Sequence, residues 1–157
     1  KKYTFLAIKA ILQWKSQMAW IKVDDQPGRK VDLTGLFALM QAETFGGGYR
    51  VAPGMQPFGD SASIVLGFGL TKLQMLSVMG PLEKGRHVGK WGKISMEPCR
   101  RFEIKALDSE GNPTDEKGHE PPLFISLDGE ISMTTPVSFE FHEGQLNVRG
   151  GKRPPNV

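Results

Sequence analysis

Cysteine is nearly absent from this chain: Cys99 is the single thiol among 157 residues. An internal disulfide is therefore excluded, and the composition suits a reducing compartment. Long apolar runs are missing too. No stretch reaches the ~20 residues that a membrane-spanning helix requires, and no signal peptide is legible. Charge of one sign is scarce. Twenty basic and 17 acidic residues leave a net +3, and the bases form no long block, which argues against a nucleic-acid partner. The common motifs of catalysis are also lacking: no G-x-x-x-x-G-K-[ST] loop, no G-x-G-x-x-G after a strand, no Cys/His metal spacing and no G-x-S-x-G elbow. A chain without a phosphate-cradling loop of its own is expected to hold only part of an active site. Lys1 falls inside a helical pattern with no initiator methionine before it, and the expectation is a piece of a longer chain.

What is present describes a β-rich domain. Nineteen glycines and 11 prolines favour many turns and short strands over a helical bundle. Phe5, Leu6, Ile8, Ile11 and Leu12 recur near helical spacing within Tyr3 to Trp14, predicting one amphipathic helix docked on the domain. From Met18 the period becomes two, with Ala19, Ile21 and Val23 alternating against Trp20, Lys22 and Asp24 up to a turn at Asp25-Gln26-Pro27-Gly28. A returning strand begins at Val31 and Leu33, and Gly35 to Ala42 continues as an apolar one. After the loop around Gly46-Gly47-Gly48 and Ala52-Pro53-Gly54, Ser61 to Phe68 reads as a strand and Leu70 to Leu82 as a helix. Further strands are expected near Lys93–Glu97, Arg101–Leu107, Leu123–Leu127, Ile131–Met133, Val137–Phe141 and Gln145–Arg149. Asp108 to Pro122 reads as a solvated loop and Gly150 to Val157 as a frayed end or linker. The fold class predicted is mainly β: one domain over residues 1–157, a β-sandwich or distorted barrel with an N-terminal helix and one inserted amphipathic helix.

Three places carry candidate chemistry, each with an ordinary alternative. Leu127-Asp128-Gly129-Glu130 lies between two apolar segments, and Asp-Gly between strands is the strongest short hairpin signal. A plain surface turn accounts for it. The same tight turn would also hold two carboxylates, Asp128 and Glu130, on a rigid tip, where they can bind a hard cation or accept a proton from an attacking hydroxyl. Met75, Val78, Met79 and Leu82 stand at i, i+3, i+4 and i+7 on one helix face. Core packing is the ordinary reading, and a flexible wall around an acyl chain is the functional one. Glu83-Lys84-Gly85-Arg86-His87 ends that helix, with Gly85 where a C-cap belongs and cations suited to the negative end of the dipole. His119 and His142 read as surface residues. Gly46-Gly47-Gly48 is followed by Tyr-Arg-Val-Ala-Pro rather than by a helix, unlike most phosphate loops.

In order and approximate spacing, Gly46-Gly47-Gly48 with Val51-Ala52-Pro53, the helix ending in Glu83-Lys84-Gly85-Arg86-His87, and Leu127-Asp128-Gly129-Glu130 resemble the C-terminal domain of the sphingosine and diacylglycerol kinase family of lipid kinases. The helix end looks closest to the sphingosine kinases and the triple glycine to the diacylglycerol kinase branch. The resemblance covers essentially the whole chain. It implies a two-domain parent in which an N-terminal nucleotide domain carries Gly-Gly-Asp-Gly-Thr, absent here, and a C-terminal β-sandwich binds the lipid and closes the cleft. It further implies that Glu130 faces the magnesium–nucleotide or the substrate hydroxyl with Asp128 in support, and that Met75, Val78, Met79, Leu82 and His87 line a lipid tunnel. Many members place Asp-Gly after the Ala-Pro loop, where the aspartate helps hold a structural magnesium. Here the sequence departs from that pattern: the order is Gly59-Asp60, with Asp60 the candidate for the metal.

The function expected from the resemblance is the lipid-binding half of an ATP-dependent lipid kinase acting on a hydroxyl of a sphingoid base or diacylglycerol, inactive alone. Mg2+ and ATP would be bound in the complete enzyme. The expected partners are the lipid, the N-terminal kinase domain and, transiently, a membrane surface met through Arg100, Arg101, Lys90 or Lys93. The location implied is cytoplasmic and peripheral to the membrane. Two rivals stand beside this reading: a non-catalytic lipid or protein interaction module of the same fold, and the related NAD kinase group, against which the Met-rich helix argues.

Overall fold

The computed structural model describes residues 2–33, 37–57, 59–115, 123–128 and 130–144. The chain opens with α1 (Lys2–Gln13), then β1 (Met18–Val23), β2 (Arg29–Asp32), β3 (Phe37–Met40) and β4 (Ala62–Gly67). There follow α2 (Lys72–Glu83), a single 3-10 turn at Lys90–Gly92, β5 (Ile94–Cys99), β6 (Arg101–Lys105), β7 (Phe124–Leu127), β8 (Glu130–Thr134) and β9 (Val137–Glu140). All pairings are antiparallel. One sheet has the order β2-β1-β6-β9, a second β3-β4-β5, and β7 and β8 form a separate ribbon. This is a β-sandwich-like domain whose sheets do not close into a barrel. The strand expected at Gln145–Arg149, the tail from Gly150, His119 and part of the acidic loop lie outside the described residues.

Side-chain alternation builds two cores that share a strand. Ala19, Ile21 and Val23 point inward from β1, meeting Ile64 and Leu66 of β4 and Phe102 and Ile104 of β6 between the two sheets. Val65 points the other way, into a second core with Met40, Val51, Ala52, Leu70, Ile94 and the α2 residues Met75 and Val78. All six residues of β4 are consequently buried, the pattern of a strand covered on both faces. Each fully buried Ile, Leu or Phe contributes about 1.5–3 kcal/mol of transfer free energy.

Local chemistry sets the element ends. Thr71 caps α2: its hydroxyl accepts from the Gln74 N–H while the Gln74 side chain accepts from the Thr71 N–H, a reciprocal capping box. At the other end, Gly85 (φ +67) donates to the Leu82 carbonyl and Arg86 to that of Pro81. This left-handed closure satisfies carbonyls that the helix leaves open. Strand β5 runs through Pro98, one residue beyond the segment read from the alternation. It is an edge strand, where a missing N–H costs no ladder hydrogen bond. Helix α1 docks mainly through Ile11, which packs on the second core, while Phe5, Leu6 and Leu12 remain exposed. Lys72 Nζ donates to the Leu12 carbonyl at 2.5 Å and ties the two helices together.

Candidate active site

The glycine loop and the end of α2, 36 residues apart, form one unit. Phe45 and Tyr49 exchange backbone hydrogen bonds of 2.9 and 3.1 Å and close a turn over Gly46, Gly47 and Gly48. The three glycines have φ of +50, +84 and +106, a succession that residues with a Cβ rarely follow. Behind the turn, Glu43 Oε1 accepts from Arg50 Nε at 3.0 Å, Arg50 Nη2 at 2.6 Å and the Gly54 N–H at 3.0 Å. The Gly54 amide, then the Arg50 guanidinium, hold the Glu43 carboxyl below its ordinary pKa. Val51 and Ala52 are buried. His87 is fully buried beside them, its Nε2 donating to the Val51 carbonyl at 3.0 Å. That bond fixes the proton on Nε2 and leaves Nδ1 without a partner among the described residues. Burial pushes the His87 pKa down, partly offset by the Val51 hydrogen bond, so the ring is neutral at physiological pH. A Cβ added at Gly85 would stand 3.0 Å from Pro53 Cβ, a measure of how closely the two segments approach.

The carboxylate hairpin is built differently. Leu127 pairs with Glu130 across a two-residue turn, and Asp128 adopts φ +48. This is the left-handed conformation that the first turn position demands and that Asp tolerates. Gly129 lies outside the described residues. Asp128 and Glu130 are both exposed, and neither makes an ion pair or side-chain hydrogen bond with another described residue. The base of the ribbon is anchored: Leu123 is buried in the first core, Ile125 packs against it, and the buried Thr135 donates its N–H to the Leu123 carbonyl.

The remaining residues singled out by sequence fall in separate places. Met75 and Val78 are buried in the second core, Leu82 packs at its margin, and Met79 is half-buried. Two open clefts flank this region. One of ≈ 360 Å³ runs beside Pro53–Gln56 and Asp60 to Met96 and Pro98. The other, of ≈ 460 Å³, lies at the C-terminal end of α2. Neither is lined by Met75, Val78, Met79, Leu82 or His87. Asp60 borders the first cleft and pairs with Arg100 at 3.3 Å. Among the described residues no three His, Cys, Asp or Glu side chains converge as a metal site. Cys99 is not poised as a nucleophile, because burial and then Asp24 and Glu97 push its thiol up to about 11.

Sequence reading passed over Glu43 and Arg50, which organise the glycine loop. The available signal was an acid and a base bracketing the triple glycine, close enough for the loop to fold back on itself.

A family model described as the YegS C-terminal NAD kinase beta sandwich-like domain matches residues 1–150. No curated protein matches the chain. Among solved structures, a provisionally assigned diacylglycerol kinase from Bacillus anthracis str. Sterne superposes with a TM-score of 0.67 at 17% identity, covering 90% of this chain and 44% of that one. A diacylglycerol kinase from the same organism gives 0.61 at 14% identity, covering 88% and 44%. Another provisionally assigned one gives 0.60 at 16%, covering 87% and 41%. The chain thus spans less than half the length of these structures, and the likeness is one of fold. Together with the resemblance its motifs carry, the match over nearly the whole chain has one conclusion: this protein belongs to the family of YegS C-terminal NAD kinase β-sandwich-like domains.

Proposed function

We propose that this chain is the lipid-binding half of an ATP-dependent lipid kinase that phosphorylates a hydroxyl of diacylglycerol or a sphingoid base, in contact with an N-terminal nucleotide domain and, peripherally, with a membrane from the cytoplasmic side. One observation carries the reading: Asp128 and Glu130, paired with no other described residue, project from a tight turn whose base is anchored in the core. Exposed carboxylates with no partner among the described residues suit an external one. Fold-level likeness to diacylglycerol kinases adds support by analogy.

Two carboxylates suit magnesium, which takes one or two from protein and completes its shell with phosphate oxygens and water. Asp128 and Glu130 are the residues that would hold it, with Asp60 as a further candidate. Magnesium–ATP supplies the phosphoryl group and neutralises the charge on it. Within this reading Glu130 orients the acceptor hydroxyl and takes its proton, and Asp128 keeps the turn and the local negative charge in place. Within this reading the half-buried Met79 and Leu82 of α2 border the acyl chain, with Met75, Val78 and His87 packed behind them. Phosphate and lipid meet at the seam between this domain and the nucleotide domain, a common place for ligands.

The rival of a non-catalytic module draws on one observation: Met75 and Val78 are spent on core packing. The same packing gives the apolar face a purpose of its own, so it does not by itself argue against a soluble nucleotide substrate as in NAD kinases. The experiment is an assay of the full-length parent with ATP, magnesium and lipid, alongside Glu130→Ala. The kinase reading expects lipid phosphorylation that the variant loses while its melting curve stays unchanged. Wild-type turnover in the variant would reduce the hairpin to a turn. Robust turnover by the 157-residue chain alone would overturn the half-site assignment.

A further inference from the structure

The turn between α2 and β5 exposes apolar surface and holds a strained residue, and packing explains neither. Trp91 has φ +54, a conformation that bulky side chains avoid and that clusters at functional sites. Its side chain is 46% exposed and that of nearby Val88 is 38% exposed. The turn is nonetheless well tied: Lys90 N–H donates to the His87 carbonyl at 3.1 Å, Lys93 to Lys90 at 3.0 Å and Gly89 to Ile94 at 2.8 Å. His87, buried against Val51, roots it in the domain.

Charge gathers at the same place. From Glu83 to Lys93 there are four bases against one acid, a local excess as large as the +3 of the whole chain. Lys84, Arg86 and Lys90 line the ≈ 460 Å³ cleft, with Glu83 the one acid beside them. None of the three bases forms an ion pair with another described residue. Lys90 Nζ lies 5.6 Å from the centroid of the Trp91 ring, so cation and aromatic share one side of the turn. Three other bases near a cleft or the turn are engaged: Arg100 pairs with Asp60, Arg101 lies by Glu140, and Lys93 Nζ donates to the Gly69 carbonyl.

We propose that this turn docks the protein on an anionic lipid bilayer. Trp91 and Val88 enter the headgroup region, and Lys84, Arg86 and Lys90 pair with lipid phosphates. An amphipathic Trp beside cations that pair with no described residue matches that interface. One Trp and one Val present far too little area for a stable protein partner, which needs roughly 800 Å² a side. A weak, reversible surface contact needs no more. The inference rests on the lipid-kinase reading for its purpose, bringing an enzyme to a membrane-resident substrate. The binding itself is measured without ATP.

The experiment is co-sedimentation of the 157-residue chain with phosphatidylcholine vesicles, with and without phosphatidylglycerol. The expected result is binding only where phosphatidylglycerol is present, weakened by raised salt. Replacing Lys84, Arg86 and Lys90 together by Gln should weaken partitioning roughly 100-fold, at about fivefold per charge. Trp91→Asn should weaken it roughly tenfold, and because Asn tolerates positive φ the variant folds. Absence of wild-type binding, equal binding to neutral vesicles, or unchanged binding by either variant would overturn the proposal. So would self-association without lipid that Trp91→Asn abolishes, which would make a second copy the occupant. Turnover of the full-length parent on detergent-dispersed lipid separates the two claims. Vesicle binding intact in Trp91→Asn sinks the docking and leaves the kinase reading standing; vesicle binding lost in Trp91→Asn, with no lipid ever phosphorylated, does the reverse.

Discussion

The Val51–Pro53 segment is held from several sides, by the Glu43–Arg50–Gly54 clamp, by His87 and by the second core. Asp128 and Glu130 make no side-chain hydrogen bond or ion pair with any described residue. The two regions divide a task between them. Polar groups satisfied inside the fold fix geometry and carry stability, whereas those left open to solvent carry little stability and are free for chemistry. Substitutions should therefore sort by region, with stability lost at the first and turnover lost at the second.

The largest effect should come from Glu130→Gln in the full-length parent. Turnover should fall by about 10²-fold or more, the usual worth of a general base, with no change in melting temperature; a parallel loss of stability would erase the contrast. Next is His87→Ala, expected to cost about 2–3 kcal/mol in denaturant unfolding, because it leaves a cavity and an unpaired Val51 carbonyl. Acid should sharpen the same point. The His87 pKa is lowered in the folded state from 6.5, so the unfolded chain takes up the proton first as pH falls. Stability should then decline from about pH 6.5 down to the folded pKa, and His87→Gln should remove that slope in melting curves taken across the range. For Glu43 the folded pKa is again depressed, and its contribution persists above the unfolded value of 4.5 and fades as pH falls through the folded one. Glu43→Gln should speed hydrogen exchange at the Gly54 amide without unfolding the domain. The smallest effect belongs to Asp128→Asn. Asn also accepts positive φ, so stability should stay within ~0.5 kcal/mol, and turnover should fall less than in Glu130→Gln.

The strands and helices were legible where one period dominates. Ala19, Ile21 and Val23 point inward as their alternation predicts, and the spacing through Met75 and Val78 marks the buried side of α2. The Asp-Gly turn was legible because its backbone demand is local. What escaped depends on partners distant in sequence. His87 reads as a cation at a helix end beside Lys84 and Arg86, yet burial keeps it neutral in the interior, where its hydrogen-bond partner is a carbonyl 36 residues away. The Glu43–Arg50 clamp needs the loop already folded before the two charges meet. Pro98 looks like a strand terminator until its strand is known to lie at an edge.

Strand β4 gives one face to each core, with Ile64 and Leu66 on one side and Val65 on the other. The helical layer and the outer sheet are thus bound to the same six residues, and neither has a seam along which it could open alone. The domain should behave as a single cooperative unit, in which the amides of α2 and those of β1 exchange through one shared opening. Helix α1, attached among its described side chains through Ile11 and held by Lys72, should fray ahead of it.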